Sequence, residues 1–167
     1  MIIEYSMAHD GVKPPVRANP SDAGLDIFYS PPNKEDSVEI APQSTAVLPT
    51  GLRFGVPHGY MLEVKNRSSV ASKRQLLVGA CVIDSGYDGE VFINLHNVGS
   101  APQSINPGDK IAQVVMTPVV HFKAYHRHDG DLYSYPITMS DRGAGALGST
   151  DLQIALPFDD HSDYNFT

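Results

Sequence analysis

The sequence predicts an all-β sandwich or jelly roll carrying a single short helix. Thirteen Pro and fourteen Gly are spread along the 167 residues, punctuating the chain into short segments. Such spacing favours many short strands over long helices. Between these breaks lie brief runs rich in Val, Ile, Leu, Phe and Tyr, and only one short window carries a helical pattern.

The length fits one domain able to bury roughly 70% of its unfolded surface. A hydrophobic fraction of 41% and a charged fraction of 19% are ordinary for a globular chain. The formal charge of −7 argues against nucleic acid as a partner, which calls for a basic face. An anionic ligand then needs local Arg donors or a metal ion to offset the field. Cys81 is the one cysteine, so no intrachain disulfide forms and a reducing compartment is expected. No leader-like or membrane-spanning apolar run is present, so the expected location is cytoplasmic, with no membrane partner.

Taken in order, residues 1–5 alternate weakly and read as a first strand, and residues 10–20 read as loop around Pro14, Pro15 and Pro20. Small residues and two acids in 18–26 lead into a strand ending near Tyr29. Short strands follow at 38–40, 45–48, 52–56 and 60–64, separated by Pro42, by Pro49 to Gly51, and by Pro57 to Gly59. Residues 68–75 can form two helical turns with serine caps. Two β-type runs, 76–83 and 91–96, flank a turn-rich centre in which Gly86 and Gly89 permit a reversal, the pattern of a hairpin with a broad loop. Residues 103–105 and 110–120 are the last strands, joined through Asn106 to Asp109. Residues 122–136 are polar, aromatic and irregular. The expected organisation is a β core over 1–141, a glycine-rich arm over 142–150 and a tail over 151–167 that is a candidate for disorder.

Several residue groups could carry chemistry. Asp84 follows the apolar pair Val82 and Ile83, where a carboxylate is partly desolvated, and Tyr87 lies three positions on. The pair suits a base beside a flat ligand-packing face; alternatively Asp84 caps the turn. Arg67, Ser68 and Ser69 at a helix start suit a phosphate cradle, or else form an ordinary cap with a surface Arg. Gln113 shares a strand face with Ile111 and needs a partner, either a neighbour or a ligand oxygen. The glycines of 142–150 lack the Gly-Lys-Ser/Thr ending of a Walker A loop and suit a mobile arm laid over an anion, or a linker. His126, His128, Asp129 and Asp131 match no established metal spacing and read as a solvated loop. Cys81 reads as a small apolar packing residue.

Five segments in fixed order resemble the motifs of the homotrimeric dUTPase family. They are residues 18–29 (ANPSDAGLDIFY), 66–71 (NRSSVA), 79–89 (GACVIDSGYDG), 108–114 (GDKIAQV) and 142–150 (RGAGALGST). The resemblance implies a jelly-roll homotrimer with active sites at subunit boundaries, hydrolysing dUTP to dUMP and pyrophosphate with Mg²⁺ on the triphosphate. It implies that this limits uracil incorporation into DNA and supplies dUMP for thymidylate synthesis. Carried over by position, Asp84 activates the attacking water and Tyr87 packs on the deoxyribose, excluding a 2′-hydroxyl. Backbone groups around Gly79, Val82 and Ile83 read the uracil edge, and Arg67, Ser68, Ser69 and Gln113 hold phosphate oxygens. Asp26 supports the hydrated metal indirectly, or the local network, while Arg142, Gly148, Ser149 and Thr150 cover the outer phosphates. Leu147 stands where the family's arm has an aromatic, Cys81 where Gly is common, Val78 where some members have Asn, and Gly86 where an acid is frequent. Two rival readings are a dCTP deaminase-like enzyme and a non-catalytic nucleotide-binding jelly roll.

Overall fold

The computed structural model describes residues 1–128, 130 and 132. The chain divides into two units, Met1–Phe122 and Lys123–Thr167. In the second unit, the described segment includes an edge-to-face ring contact between His126 and His128 at 4.4 Å.

Among the described residues the first unit is all strand but for one helix. Strands β1 (Glu4–Met7), β2 (Leu25–Phe28), β3 (Val38–Ile40), β4 (Thr45–Pro49), β5 (Leu52–Gly55) and β6 (Tyr60–Lys65) precede the helix α1 (Ser68–Arg74). Strands β7 (Leu76–Val78), β8 (Val82–Ile83), β9 (Phe92–Asn97), β10 (Gln103–Ile105) and β11 (Lys110–Pro118) follow it. Four sheets form, in the orders β2-β11-β6-β8, β4-β9-β7, β1-β5 and β10-β3, and their pairs are antiparallel. The all-β architecture with one short helix is as the sequence predicts.

Alternation explains how these strands pack. In β5 Leu52 and Phe54 point inward while Arg53 and Gly55 face out, and in β9 Ile93, Leu95 and Asn97 are buried. Ile27, Leu48, Leu52, Leu76, Ile93, Leu95 and Ile105 are fully buried in one common core. Two polar residues enter it with partners. Asn97 donates to the carbonyls of Ile40 and Ala101, and Thr50 donates to Val91 O at 2.6 Å. Their hydrogen bonds remove the cost of burying unpaired polar groups.

The structure departs from the sequence reading in four places. The run 76–83 is not one hairpin arm: it breaks at residues 79–81 and changes sheets. Its first part, β7, pairs with β9, whereas β8 pairs with β6. The break falls at Gly79, where a Cβ would sit 2.3 Å from His96 Nε2 and 2.4 Å from Asn94 Oδ1, so a side chain there would displace the ends of those two residues. Second, the helix cap is Arg67, in extended conformation and with no side-chain capping bond, so the serines occupy the first turn rather than the cap. Third, a register shift between Lys110 and Ala112 buries both Ile111 and Ala112, moving Gln113 off the face of Ile111. Finally, Cys81 is exposed rather than packed in the core.

Candidate active site

Two separate clusters gather the expected residues. The first is built on the loop after β8. Asp84 is exposed, and its backbone carbonyl accepts the N–H of Tyr87 at 3.2 Å. Gly86 takes a φ of +88°, which closes the turn at a conformation that L side chains rarely adopt. Tyr87 folds back so that its hydroxyl donates to Glu90 O at 2.8 Å. A Cβ on Gly89 would lie 2.5 Å from the Tyr87 hydroxyl, so glycine there lets the ring lie flat on the loop. The result is a cleft of about 250 Å³ lined by Val82, Ile83, Asp84, Tyr87, Glu90 and Phe92 among others. Its walls are apolar and aromatic, with one carboxylate at Asp84 left without a hydrogen-bonding side chain among the described residues. Asp84 is therefore a solvated carboxylate in the single chain, not the partly desolvated one its neighbours suggest.

Backbone positions near this cleft are partly committed. The N–H of Gly79 donates to Asn94 O at 3.0 Å, extending the β7–β9 ladder by one rung. Cys81 O accepts from Val64 N at 2.7 Å. Val82 is exposed and Ile83 buried, so along β8 one side chain faces the cleft's rim and the next anchors the core.

The second cluster joins three of the motif segments through side chains. Asp26, on β2, accepts from Arg67 Nε at 2.7 Å and from Lys110 Nζ at 2.8 Å, with its side chain 13% exposed. Burial by itself raises the Asp26 carboxyl, but hydrogen bonds from Lys110 and Arg67, and the charge of each, outweigh it and hold its pKa below the usual carboxylate value. Gln113 donates to Asn66 O at 2.9 Å, and Asn66 Oδ1 accepts the N–H of Val78 at 2.7 Å. Gly24 leaves room for this amide as it stands, since a Cβ there would lie 2.5 Å from Gln113 Oε1 and displace it. A primary amide has two N–H donors, so Gln113 keeps one uncommitted among the described residues. Ser68 and Ser69 are exposed in the first turn of α1, and no acid accompanies them there. Lys73 and Arg74 in the last turn complement the opposite end of the helix.

Sequence reasoning missed four residues of these clusters. Lys110 sits inside the GDKIAQV segment, three positions before Gln113, and completes the ion-pair set on Asp26. Asn66, first residue of the NRSSVA segment, ties that loop to β7. Glu90 and Phe92 line the cleft, and only the fold of the loop brings them there. The expected residues Arg142, Leu147, Gly148, Ser149 and Thr150 lie outside the described residues, as do Asp129 and Asp131.

The two clusters lie far apart in one chain. Register pairs Ile83 with Leu62, which sets Asp84 level with the start of β6, whereas Arg67 follows its end. At the rise of a β-strand this separation is about 20 Å along the sheet.

No magnesium-type cage accompanies either cluster. Among the described residues no group of three or more His, Cys, Asp or Glu side chains could hold a metal ion. Both oxygens of Asp26 already face cations. A divalent ion that arrives bound to a substrate's phosphates needs no such cage, because Mg²⁺ keeps waters and takes phosphate oxygens.

A carboxylate beside an aromatic-walled cleft, with cations and amides in a second cluster, are the parts of an enzyme acting on an anionic ligand that also has a flat group. The chain belongs to the dUTPase family, whose model matches residues 10–150. A deoxyuridine 5′-triphosphate nucleotidohydrolase of Roseobacter denitrificans is 36% identical over 130 residues, covering 77% of this chain and 80% of that protein. One from Chlamydia trachomatis is 31% identical over 148 residues, covering 87% and 96%. Among solved structures, a dUTPase from phage phi11 of S. aureus superposes with a TM-score of 0.69 at 26% identity, covering 77% of this chain and 97% of that one. That structure shows the coordination of a structural Mg(II) ion.

Proposed function

We propose that the protein hydrolyses dUTP to dUMP and pyrophosphate at sites shared between copies of the chain. Family membership supports the reaction, and the observation that carries the residue assignment is Asp84 standing free beside Tyr87 at the mouth of an apolar cleft. The substrate is the Mg²⁺ complex of dUTP, whose metal neutralises charge on the triphosphate. In this reading Asp84 accepts a proton from water, whose oxygen attacks the α-phosphorus. The bond from that phosphorus to the bridging oxygen breaks, and pyrophosphate departs. Tyr87 packs on the deoxyribose, and the backbone near Gly79, Val82 and Ile83 holds the base, with the carbonyl side of Gly79 as the acceptor because its N–H is engaged.

Phosphate oxygens fall to Arg67, Ser68, Ser69 and the free N–H of Gln113. Asp26 acts on Arg67, fixing the guanidinium rather than binding metal. Arg142, Gly148, Ser149 and Thr150 close over the outer phosphates, with Leu147 on the base. The distance of about 20 Å between Asp84 and Arg67 exceeds the span of a triphosphate, so one ligand touches both only if different chains supply them. A homotrimer meets that requirement with closed symmetry. The protein's place is cytoplasmic, where its action keeps uracil out of DNA and supplies dUMP. No described helix is long and apolar enough to cross a membrane.

The test is pyrophosphate release from dUTP with and without Mg²⁺, run beside an ammonia assay with dCTP. Pyrophosphate from dUTP alone is the expected outcome. Ammonia release would instead identify a deaminase, and nucleotide binding without either product would identify a binding module.

A further inference from the structure

A groove beside the Asp26 cluster, from which Lys13 reaches the same Phe28 ring as Lys110, has the features of an anion site. It encloses about 280 Å³ between the loop before β2, the loop after it and the turn before β11, and is lined by Gly11, Lys13, Tyr29, Ser30, Lys34 and Gly108 among others. Two lysines reach into it from different segments. Lys13 Nζ lies over Gly108, where a Cβ would meet it at 2.4 Å, and Lys34 Nζ lies over Gly11, where a Cβ would meet it at 2.7 Å. Both glycines have positive φ, +88° and +82°, so these turns present bare backbone on which the ammonium groups rest low in the groove.

The charges there are not balanced from within. Among the described residues no carboxylate pairs with Lys13 or Lys34, although the sequence as a whole carries a charge of −7. Of the acids near in sequence, Asp36 is engaged by Asn33 and Asp109 by Arg74 and Asn106 N, and Asp10 and Glu35 form no ion pair with either lysine. Lys13 donates to Gly108 O at 3.2 Å, leaving two of its three N–H bonds, and Lys34 has no hydrogen-bond acceptor in the described residues.

Ser30, only 5% exposed, lines the same groove. Its Oγ accepts from Lys13 N at 3.5 Å, yet its hydroxyl proton has no acceptor among the described residues. Buried hydroxyl donors are rarely left unmatched. Two ammonium groups without a carboxylate partner, in one groove with an unmatched buried O–H, call for an acceptor-only ligand of negative charge.

We propose that this groove binds a compact phosphoryl anion, phosphate or diphosphate, separately from the nucleotide site. Lys13 and Lys34 neutralise the anion from two sides, and Ser30 donates to one of its oxygens. The assignment does not depend on the proposed catalysis, since none of these residues belongs to either cluster described above.

The experiment titrates the full chain with inorganic pyrophosphate, and separately with inorganic phosphate, following backbone amide shifts and heat. An Arg67→Ala background removes the strongest cation of the nucleotide site. In that background the expected result is saturable binding with shifts concentrated at residues 11, 30, 34 and 108. Combining Lys13→Gln with Lys34→Gln is expected to weaken this binding at least tenfold, and Ser30→Ala to weaken it less, while dUTP turnover of the Lys13→Gln/Lys34→Gln protein on the native background stays unchanged. Preference for pyrophosphate over phosphate would define a diphosphate site, and equal affinity a single-phosphate site. Shifts confined to other residues, or affinity unaltered by the lysine substitutions, would overturn the proposal. So would binding abolished equally by matched chloride.

Discussion

Asp84 and Arg67 stand at opposite ends of strand β6: Ile83 pairs with Leu62 near its start, and Arg67 follows Lys65 at its finish. The two ends of this strand therefore carry a carboxylate and a guanidinium, about 20 Å apart. An isolated chain cannot bring both to one phosphate chain. This predicts complementation between two inactive proteins. Asp84→Asn and Arg67→Ala homo-oligomers, unfolded together and refolded as a mixture, are expected to regain dUTP hydrolysis well above the sum of the two parents. Some mixed sites then take an intact Asp84 from one copy and an intact Arg67 from another. Activity no greater than the parents' sum would place both residues of a site in the same chain.

The Asp84 carboxylate can be tested alone. Its side chain is exposed and makes no described hydrogen bond, so replacing one oxygen by an amide nitrogen leaves the packing untouched. Asp84→Asn is expected to keep the melting temperature of the parent and to lower kcat by roughly 10²–10⁴, the usual worth of a general base. The KM for dUTP should change little, because the same side chain is not assigned to ground-state binding. Steady-state kinetics together with a thermal melt separates the two effects. Undiminished kcat would remove Asp84 from the chemistry.

Much of this architecture was legible in the sequence, for identifiable reasons. Prolines and glycines ended strands where the chain turns, as at Pro57 and Gly59 between β5 and β6, because they restrict or free φ locally. The helix at 68–74 followed from small and basic residues after a break. What local pattern could not show was pairing. Residues 76–83 read as one β-prone run, and only the partners of each half reveal the switch between sheets at Gly79. The shift beside Lys110 likewise altered which face Gln113 occupies, since a one-residue slip reverses a strand's sides. For the candidate site, motif order identified Asp26, Arg67 and Asp84, yet the ion pair from Lys110 and the contribution of Glu90 and Phe92 depend on contacts distant in sequence. Cys81 shows the same limit: a small residue between apolar ones reads as buried, whereas it lies in the exposed break between β7 and β8.

The Asp26 cluster links stability to pH. Its carboxyl titrates below the ordinary aspartate value, because burial, which raises it, is more than offset by hydrogen bonds from Lys110 and Arg67 and by their charges. A depressed folded-state pKa means that the unfolded chain binds the proton more readily. The stabilisation is thus complete above the unfolded value and is lost as pH falls through the lower, folded one. Asp26→Asn is expected to cost about 1–3 kcal/mol near neutrality, since it leaves Arg67 and Lys110 without their shared counter-ion. The difference from the parent should shrink on acidification below the ordinary aspartate range. Denaturant melts at neutral and strongly acidic pH measure it, and a difference that is constant across that range would contradict the linkage.

Sugar selectivity should depend on a glycine that never touches the ligand. Gly89 leaves the space in which the Tyr87 ring lies, and a methyl there would stand 2.5 Å from the hydroxyl and 2.7 Å from the ring carbon that bears it. Gly89→Ala must therefore lift the ring and break its bond to Glu90 O. If the flat ring is what excludes a 2′-hydroxyl, the variant should hydrolyse dUTP more slowly and discriminate less against UTP. An apolar surface rejects an added hydroxyl by at most on the order of 10²-fold, which bounds the loss. Tyr87→Ala should lose the same discrimination by removing the ring outright. Tyr87→Phe, which keeps the ring and loses only the Glu90 bond, should retain most of it. Ratios of kcat/KM for dUTP and UTP in the three variants decide the matter. Equal loss in Tyr87→Phe and Tyr87→Ala would assign the selectivity to the hydroxyl's hydrogen bond, and unchanged ratios in all three would take Tyr87 out of sugar recognition.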